Sequence, residues 1–443
     1  MPEVAAEIHS LLQEVCVASP DRSIWRDLSE ETFRQHLVTL EERTNAIPVD
    51  PQVFSIADWV PRSAGQGEKK SHVLPIDVEQ RLADDFACLV AVAEGAQSVA
   101  AVCIEEHLQP VGLTLRFAAR DLSFNNEIKT TLQAVFDILA HVAATPTLAD
   151  DASLSADKLF GLVIQLHSRR LLGRLRSSKW EKPKHLSRSV KKPLWQDFPN
   201  LIHRTEFLYT RREKPVRNVV LKWLGELAVL YEQFEATAKD ETLAMTQLVK
   251  ATFTFCSAPE IKDFAERLRV GSKPTSQVRA AIKSLRQLDK IAAYHRICIS
   301  LVETARAYPM LFHRMTLAIL PPYKSVPTSI AFQSWAASCH VHAEVQLAVH
   351  YDLHREFQPR CIGTSKWLCY LCYLFLRAHG RHFPSKTHGH LYDQWTVPDV
   401  MDLDEKLTEQ YRGILKAIDD VVLQQIDEEP ELGRLEPMTS CTA

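Results

Sequence analysis

The chain has 443 residues, a formal net charge of -3 and a hydrophobic share of 46%. That length is enough for two or three domains with separate cores, and the near-neutral charge excludes a global field that would attract nucleic acid or a membrane surface. With only 13 glycines, the composition favours a mostly helical protein over a turn-rich β architecture.

The start of the chain, MPEVAAEIHSLLQEV, has no basic leader followed by an apolar core, so it does not resemble a secretory signal. No stretch approaches the ~18 consecutive apolar residues that span a bilayer. We therefore expect an intracellular protein, cytoplasmic or nuclear, that is not secreted and has no membrane partner. In that compartment the ten cysteines should stay reduced, so a close pair indicates metal binding or redox chemistry.

Apolar residues at steps of three and four predict helices through the first two-thirds of the chain. The clearest helix covers 126 to 142, with an asparagine at 125 or 126 as its cap. Similar patterns cover, in chain order, 4 to 15, 78 to 104, 155 to 176, 216 to 236, 240 to 254 and 276 to 307. We therefore expect residues 1–299 to form a mostly helical region, which could bind a protein partner or assemble an oligomer.

Two polar segments interrupt this pattern. Residues 61–72 contain two glycines and predict an exposed loop, and residues 177–193 predict a second one. The second loop belongs to a strongly basic stretch, 169–192, with one acidic residue. Such a stretch suits a phosphate-contacting or nuclear-targeting segment, and equally a solvated helix end and loop.

The pattern changes near residue 300. Prolines break up the helices and the apolar runs become short, which predicts strands alternating with helices over 300–400. Residues 401–443 are acidic and amphipathic, and predict a helix packed on a neighbour followed by a frayed tail. We therefore expect an α+β protein, with a large helical region followed by an α/β domain.

Two short motifs in this α/β region carry the chemistry. One is His342-Ala343-Glu344, within "HVHAEVQL", and the other is Cys369-Tyr370-Leu371-Cys372. Each is weak alone, because a His-x-Glu is usually a surface feature and a Cys-x-x-Cys can be two buried small hydrophobic residues. In this order, about 25 residues apart, they form a more specific signal.

The surrounding sequence predicts how the motifs meet. A helix over 342–353 would hold the histidine and the glutamate in its first turn, and a second helix over 366–379 would hold the cysteines on one face. Ser365 is a plausible cap for the second helix, and Gly380 would end it. A short strand over 360–364 would let both helix N-termini meet at one edge of a sheet.

One histidine and two thiolates make three metal ligands. Structural zinc sites usually have four protein ligands, whereas catalytic sites leave a position for water, whose pKa falls to about 7. The Glu344 side chain, two residues after His342, cannot easily point in the same direction as the ligand. It could instead lie beside the water and transfer protons to and from it. Any of Cys339, His340 and Cys361 could supply a fourth ligand and close the site.

These residues resemble the signature of the zinc-dependent cytidine and nucleic-acid deaminase superfamily, His-x-Glu followed by Pro-Cys-x-x-Cys. The resemblance implies that His342, Cys369 and Cys372 bind Zn²⁺ and that Glu344 shuttles protons. It also implies an α/β/α cytidine deaminase-like domain with a mixed sheet of about five strands. One position departs from the signature, because Leu368 stands where the superfamily commonly has proline.

The segments "HAEVQL", "IGTSKWLCYLC" and "THGHLYDQWTVP" are also similar to a fungal group of deaminase-like proteins. That group is known mainly by sequence, so no particular substrate follows from the resemblance. The resemblance covers under a quarter of the chain and implies nothing about the first 300 residues.

Five further residues are weaker candidates for substrate contacts: Ser365, Lys366, His388, Tyr392 and Trp395. Ser365 and Lys366 could instead cap the helix and extend into solvent. The last three belong to a loop rich in aromatic and imidazole rings, on which a base could stack or which could cover the core. The basic bias between 355 and 390 suits a phosphate-bearing substrate, either a nucleotide or single-stranded nucleic acid.

The leading hypothesis is a zinc-dependent hydrolytic deaminase that acts on a nucleobase of cytosine or adenine type. A second hypothesis is a catalytically silent, zinc-stabilised interaction or scaffold protein. A third is a thiol redox protein that uses the cysteine pair.

Overall fold

The computed structural model of the protein describes residues 20–59, 72–93, 99–121, 124–145, 149–183, 192–237, 240–270 and 275–428. The helix predicted at 4–15, all of the loop predicted at 61–72 except His72, and the tail after 430 lie outside these residues. So does the central part, 184–191, of the second predicted loop.

The described residues fall into two compact units. The first unit draws on residues within 1–91, 96–136 and 307–443, and the second on residues within 92–95 and 137–306.

The helices of the described chain are α1 (Glu30–Thr44), α2 (Ile76–Val90), α3 (Asn126–Ala144), α4 (Ala149–Leu175), α5 (Phe198–Leu208), α6 (Lys214–Ala236), α7 (Glu241–Ser257), α8 (Pro259–Val270), α9 (Ser276–Ala307), α10 (Pro309–Phe312), α11 (Ala343–Leu353), α12 (Tyr370–His379) and α13 (Glu405–Asp427). The strands are β1 (Gln52–Val53), β2 (Ala100–Leu108), β3 (Val111–Ala119), β4 (Met315–Ile319), β5 (Val326–Pro327), β6 (Ser338–Val341), β7 (Cys361–Thr364), β8 (Phe383–Pro384), β9 (Lys386–Thr387) and β10 (Trp395–Thr396). Among the described residues, no helix is long and apolar enough to cross a membrane.

A five-stranded sheet lies in the first unit, with strand order β4-β3-β2-β7-β8. Strand β2 pairs antiparallel with both β3 and β7, whereas the outer pairs β3–β4 and β7–β8 are parallel. This mixed arrangement confirms the predicted mixed sheet of about five strands. Helix α2 packs against β2 and β7, and α11 packs against β2, β3 and β7.

The helix predicted over 78–104 is wrong in its second half. Helix α2 ends at Val90, and the segment from Ala100 forms the long strand β2. The apolar run at the start of β2 is buried on both faces, so it lacks the alternation that identifies a half-exposed strand. Hairpin pairing with β3 along nine residues, together with pairing to β7 about 260 residues away, settles the conformation.

This sheet joins segments from both sides of residue 300. Strands β2 and β3 come from the region assigned to helices, and they pair with β7 and β4. The α/β unit is therefore more extensive than the range 300–400 that the sequence pattern predicts.

Gly363 in β7 allows α2 to approach the sheet closely. A Cβ atom at this position would lie 2.1 Å from the carbonyl carbon of Ala83 and 2.3 Å from the amide nitrogen of Asp84. The Asp84 carboxylate accepts a hydrogen bond from the Thr364 amide at 2.9 Å and another from the Ser385 hydroxyl at 2.9 Å. The close approach and these bonds together position the end of β7.

A second, three-stranded sheet has the order β10-β6-β5. Strand β6 pairs parallel with β10, where His340 lies opposite Trp395, and antiparallel with β5. The short strands β1 and β9 form a further antiparallel pair.

Helix α13 confirms the predicted C-terminal amphipathic helix. The Asp404 carboxylate caps it by accepting a hydrogen bond from the Leu407 amide at 2.7 Å. The helix packs against α1 and α12 through a buried apolar face: Leu407, Tyr411, Ile414, Leu415, Ile418 and Val422.

The second unit is helical. Helix α6 packs against α5, α7 and α8, and α4 packs against α7. The helices predicted at 155–176, 216–236, 240–254 and 276–307 are confirmed as α4, α6, α7 and α9. In α3, the predicted cap is also confirmed, since the Asn125 side chain accepts a hydrogen bond from the Ile128 amide at 2.9 Å.

We expect Gly363→Ala to lower the free energy of unfolding by at least about 2 kcal/mol, because the new methyl group would overlap the α2 backbone. Gly413→Ala is the matched control, since Gly413 has open space around it within α13. It should raise stability by about 0.5–1 kcal/mol through its helix propensity. Denaturant unfolding of the three proteins compares them, and equal loss in both variants would contradict the close approach at Gly363.

Candidate metal centre

Two helices of the first unit begin at the motif residues. His342 follows β6 directly and is the N-terminal cap of α11, with extended backbone angles. Cys369 is the N-terminal cap of α12, and its sulfur accepts a hydrogen bond from the Cys372 amide at 3.3 Å. Helix α12 begins at Tyr370 rather than at the predicted 366, whereas its predicted end is confirmed at Gly380, in the left-handed conformation.

The three predicted ligand side chains converge. The His342 Nδ1 atom lies 3.5 Å from the Cys369 Sγ and 3.4 Å from the Cys372 Sγ. Zinc bonds of about 2.0 Å to nitrogen and about 2.3 Å to sulfur at tetrahedral angles place these atoms about 3.5 Å apart. The donor set and its spacing therefore fit one tetrahedrally coordinated ion.

The same three residues form a charge-coupled group. Burial opposes ionisation of Cys369, but the hydrogen bonds from Cys372 and the charge of His342 outweigh it, and the pKa of the Cys369 thiol is well below its ordinary value. Burial lowers the pKa of His342, but the neighbouring Cys369 thiolate outweighs it and raises that pKa. Burial and the Cys369 thiolate raise the pKa of Cys372. The shifts of Cys369 and His342 each favour the charged form of the group, at the position where a metal ion would bind.

Glu344 lies in the first turn of α11 and is 3% exposed. Its Oε2 atom is 3.4 Å from the Cys372 sulfur, so the carboxyl group faces the ligand cluster. Burial raises the pKa of Glu344 above its ordinary value. A carboxyl group with a raised pKa can accept and return a proton near neutral pH.

The three alternatives for a fourth ligand are all placed elsewhere. The Cys339 thiol contacts the Arg34 guanidinium, and the Cys361 thiol points to the Ile76 carbonyl at 3.6 Å. The His340 ring lies 3.4 Å from the Ser338 hydroxyl. In the part of the chain that the structure describes, the metal-capable group at this position comprises His342, Cys369 and Cys372 alone.

Ser365 does not occupy the predicted position at the start of the cysteine helix. Its hydroxyl accepts a hydrogen bond from the Ala100 amide at 3.0 Å, and its own amide donates to the Ala100 carbonyl at 2.9 Å. The side chain is 1% exposed. Ser365 therefore fastens the end of β7 to β2, and Cys369 caps the helix instead.

For Trp395, the structure agrees with the second of the two predicted roles, a ring that covers the core. It is 1% exposed and packs between Phe33 and Phe375, at ring distances of 6.3 and 6.0 Å. Its indole lies beside the Cys372 sulfur and lowers the pKa of that thiol. Burial and Cys369 have larger effects, so the pKa of Cys372 is raised overall. Trp395 therefore lies between the hydrophobic core and the Cys372 sulfur.

His388 and Tyr392 lie in a cluster of rings next to Cys369. The His390 and Tyr392 rings stack at 5.2 Å and 6°, and His388 meets Tyr392 edge-on at 5.9 Å. Burial lowers the pKa of His388 to about 4, with Lys366 among the nearby charges. His388 and the rings around it therefore lie on the Cys369 side of the centre.

Two buried polar features escaped the sequence analysis. Gln346, 1% exposed, donates from its Nε2 atom to the carbonyls of Ala119 at 2.9 Å and Val341 at 3.0 Å. Gln346 stands among the buried apolar residues Val345, Leu347 and Ala348 of α11, and a polar residue in that run is the signal that could have revealed it. Glu41 in α1 accepts a hydrogen bond from the Asp393 amide at 3.2 Å, across about 350 residues, and no local pattern reveals that contact.

A family model described as OTT_1508-like deaminase matches residues 341–399. The matched segment contains His342, Glu344 and both cysteines of the cluster. No curated protein and no solved structure gives a significant match to the chain. The match supports a deaminase-like family for this segment, and the His342, Cys369 and Cys372 group could hold a metal ion.

We expect Cys372→Ser to weaken zinc binding at least about 100-fold, since even loss of an outer hydrogen bond to a ligand costs about 10- to 100-fold. Cys361→Ser is the control, because this buried cysteine lies outside the cluster. Chelator competition gives the affinities. Equal affinities in the two variants would contradict the ligand assignment.

Zinc affinity of the wild type should also rise with pH, because binding displaces protons from His342 and Cys372.

Glu41 should make stability depend on pH. Burial and the neighbouring Asp393 raise the pKa of Glu41 from 4.5 to about 8. The folded state therefore favours the protonated form, and this stabilisation is complete below pH 4.5 and lost as the pH rises to about 8. The loss has a limiting slope of about 1.4 kcal/mol per pH unit.

Glu41→Gln mimics the protonated side chain and should flatten that decline relative to wild type. Glu42→Gln, at the exposed neighbouring position, should leave the decline unchanged. Unfolding free energies measured between pH 5 and 8 compare the three proteins. Parallel curves for wild type and Glu41→Gln would show that the carboxyl group does not titrate in this way.

Proposed function

We propose that the protein is a zinc-dependent hydrolytic deaminase that acts on a nucleobase, of cytosine or adenine type, carried by a nucleotide or a nucleic acid. The observation that carries this proposal is the convergence of three ligands and one carboxyl group in a buried cluster. The Cys372 sulfur lies 3.4 Å from both the His342 Nδ1 and the Glu344 Oε2 atoms. The match of the surrounding segment to a deaminase family supports it independently.

His342, Cys369 and Cys372 would hold the zinc ion. When bound, zinc supplies a water molecule whose pKa is lowered to about 7, a nucleophile available at neutral pH. Three protein ligands are typical of a catalytic site, because one coordination position is left for water. The cytidine deaminase-like identity of the surrounding α/β domain is part of the same proposal.

Glu344 would carry the protons. Hydrolytic deamination adds water at the carbon that bears the amino group, protonates the ring nitrogen and releases ammonia. Glu344 would take one proton from the attacking water and give it to the ring nitrogen. It would then take the second proton from the hydroxyl group added to the carbon and give it to the amino group, which leaves as ammonia. Its raised pKa suits both directions of transfer at neutral pH.

The helix termini favour the same chemistry. The Cys369 and Cys372 sulfurs lie at the N-terminus of α12, and His342 lies at the N-terminus of α11. The positive ends of both helix dipoles stabilise thiolates and a developing negative charge. A cytoplasmic or nuclear location would keep these cysteines reduced, as the proposal requires.

Leu368, where the superfamily commonly has proline, does not disturb the start of the helix. Its amide donates to the Lys386 carbonyl at 3.0 Å, and the residue is fully buried. Cys369 caps α12 without help from a proline ring. The departure therefore leaves the proposed ligand geometry intact.

Glu344→Ala should retain zinc and lose ammonia release by at least about 100-fold, because general acid–base catalysis contributes at least that much. A panel of nucleosides, nucleotides and single-stranded DNA and RNA supplies the substrates, and liberated ammonia is the readout. Glu356→Ala, which changes an acidic residue outside the cluster, is the control. Undiminished ammonia release by the zinc-loaded Glu344→Ala protein would refute the proton-transfer role.

A further inference from the structure

Arg120 and Lys366 follow two neighbouring strands at the same edge of the five-stranded sheet. Ala119 at the end of β3 lies opposite Ala100 at the start of β2. Ser365, just after β7, is bonded to Ala100 through both its amide and its hydroxyl. The next residues along the chain, Arg120 and Lys366, therefore leave the sheet on either side of the beginning of β2.

The buried Gln346 side chain places this edge next to the metal centre. Its single Nε2 atom donates to the carbonyl of Ala119 and to the carbonyl of Val341. These two residues immediately precede Arg120 and His342. One amide nitrogen thus holds the chain at Arg120 close to the first metal ligand.

The charges around Arg120 leave its guanidinium available for an anion. The group is partly buried and lies within electrostatic reach of the His340 and His342 rings. In the described chain, no carboxylate is within ion-pair distance of it. Asp121, the next residue along the chain, acts electrostatically on the same His340 ring.

A phosphate group fits this environment. A guanidinium presents planar, paired N–H donors that match two phosphate oxygens. A partly buried cation without a carboxylate partner retains an electrostatic cost that a bound anion would offset. Lys366, across the start of β2, adds a second positive charge to the same edge.

We propose that Arg120, assisted by Lys366, binds a phosphate of the substrate at the rim of the metal centre. The substrate is then a phosphorylated nucleoside or a phosphodiester, and a free base or nucleoside lacks the anchoring group. This inference rests on the proposed function and names the class of substrate for the same site.

Phosphate binding tests the inference without any turnover. Inorganic phosphate, cytidine 5′-monophosphate, cytidine and a short single-stranded oligodeoxycytidine are titrated into the zinc-loaded full chain carrying Glu344→Gln. We expect cytidine 5′-monophosphate to bind at least about tenfold more tightly than cytidine, as a charge-assisted contact of about 1.5–3 kcal/mol implies. Arg120→Gln should remove that advantage and leave cytidine binding unchanged.

Three further variants separate charge from structure. Arg120→Lys should retain part of the phosphate affinity, and Lys366→Gln should lose less than Arg120→Gln. Asp121→Asn removes a nearby negative charge and should bind phosphate at least as tightly as wild type. Where Arg120→Gln does not fold, phosphorus relaxation in the cobalt-substituted wild type measures directly whether the phosphate lies close to the metal.

The outcomes distinguish this inference from the proposed function. Equal binding of cytidine and cytidine 5′-monophosphate, or phosphate affinity unchanged by Arg120→Gln, would overturn the phosphate site. Ammonia release from nucleosides but not from nucleotides or nucleic acids would also overturn it; the hydrolytic deamination would then stand, with a substrate that lacks phosphate. An Arg120-dependent phosphate site in a protein that releases no ammonia would uphold the site and refute the function. Tighter binding of the oligonucleotide than of the mononucleotide would identify the phosphodiester as the source of the phosphate.

Discussion

The side chains of His342, Cys369 and Cys372 can share one ion only because two helices begin at the same place. Each ligand is at or within one turn of a helix N-terminus, where thiolates are stabilised. The Cys369 and His342 groups shift each other's pKa in opposite directions, so each favours the charged form of the other.

Buried polar contacts position the elements that carry this cluster. The Glu79 carboxylate, 1% exposed, accepts hydrogen bonds from the Arg360 and Cys361 amides at 2.8 and 3.1 Å and joins α2 to the start of β7. Gln346 joins β3 to the segment before His342. A buried polar group without its partner costs about 1–3 kcal/mol, so each contact disfavours other arrangements of the same strands.

The sequence predicted most accurately what depends on neighbouring residues. The helix start at His342, the strand over Cys361–Thr364 and the helix end at Gly380 follow from patterns within a few residues, whereas the second helix begins at Tyr370 and not at the predicted 366. Helical periodicity likewise located α3, α4 and α9. Glu344 faces the cluster as its place in the first turn of α11 suggests.

The failures concern positions that distant parts of the chain decide. Strand β2 pairs with β7, about 260 residues away, and is covered by α2 and α11, so its start is buried on both faces and its own sequence lacks the alternation of a strand. The predicted capping role of Ser365 is wrong, because pairing with Ala100 fixes its side chain in the sheet. The choice between stacking and core packing for Trp395 depends on Phe33, which is distant in sequence. Glu41 reaches Asp393 through tertiary packing alone.

The coordination shell of the bound zinc is the most direct test of this account. X-ray absorption at the zinc edge of the reduced, metal-loaded protein should show one nitrogen at about 2.0 Å, two sulfurs at about 2.3 Å and one oxygen that belongs to water. A shell of four protein ligands, with a third sulfur or a second imidazole, would contradict it. The zinc would then be structural, and the protein would be an interaction module rather than a deaminase.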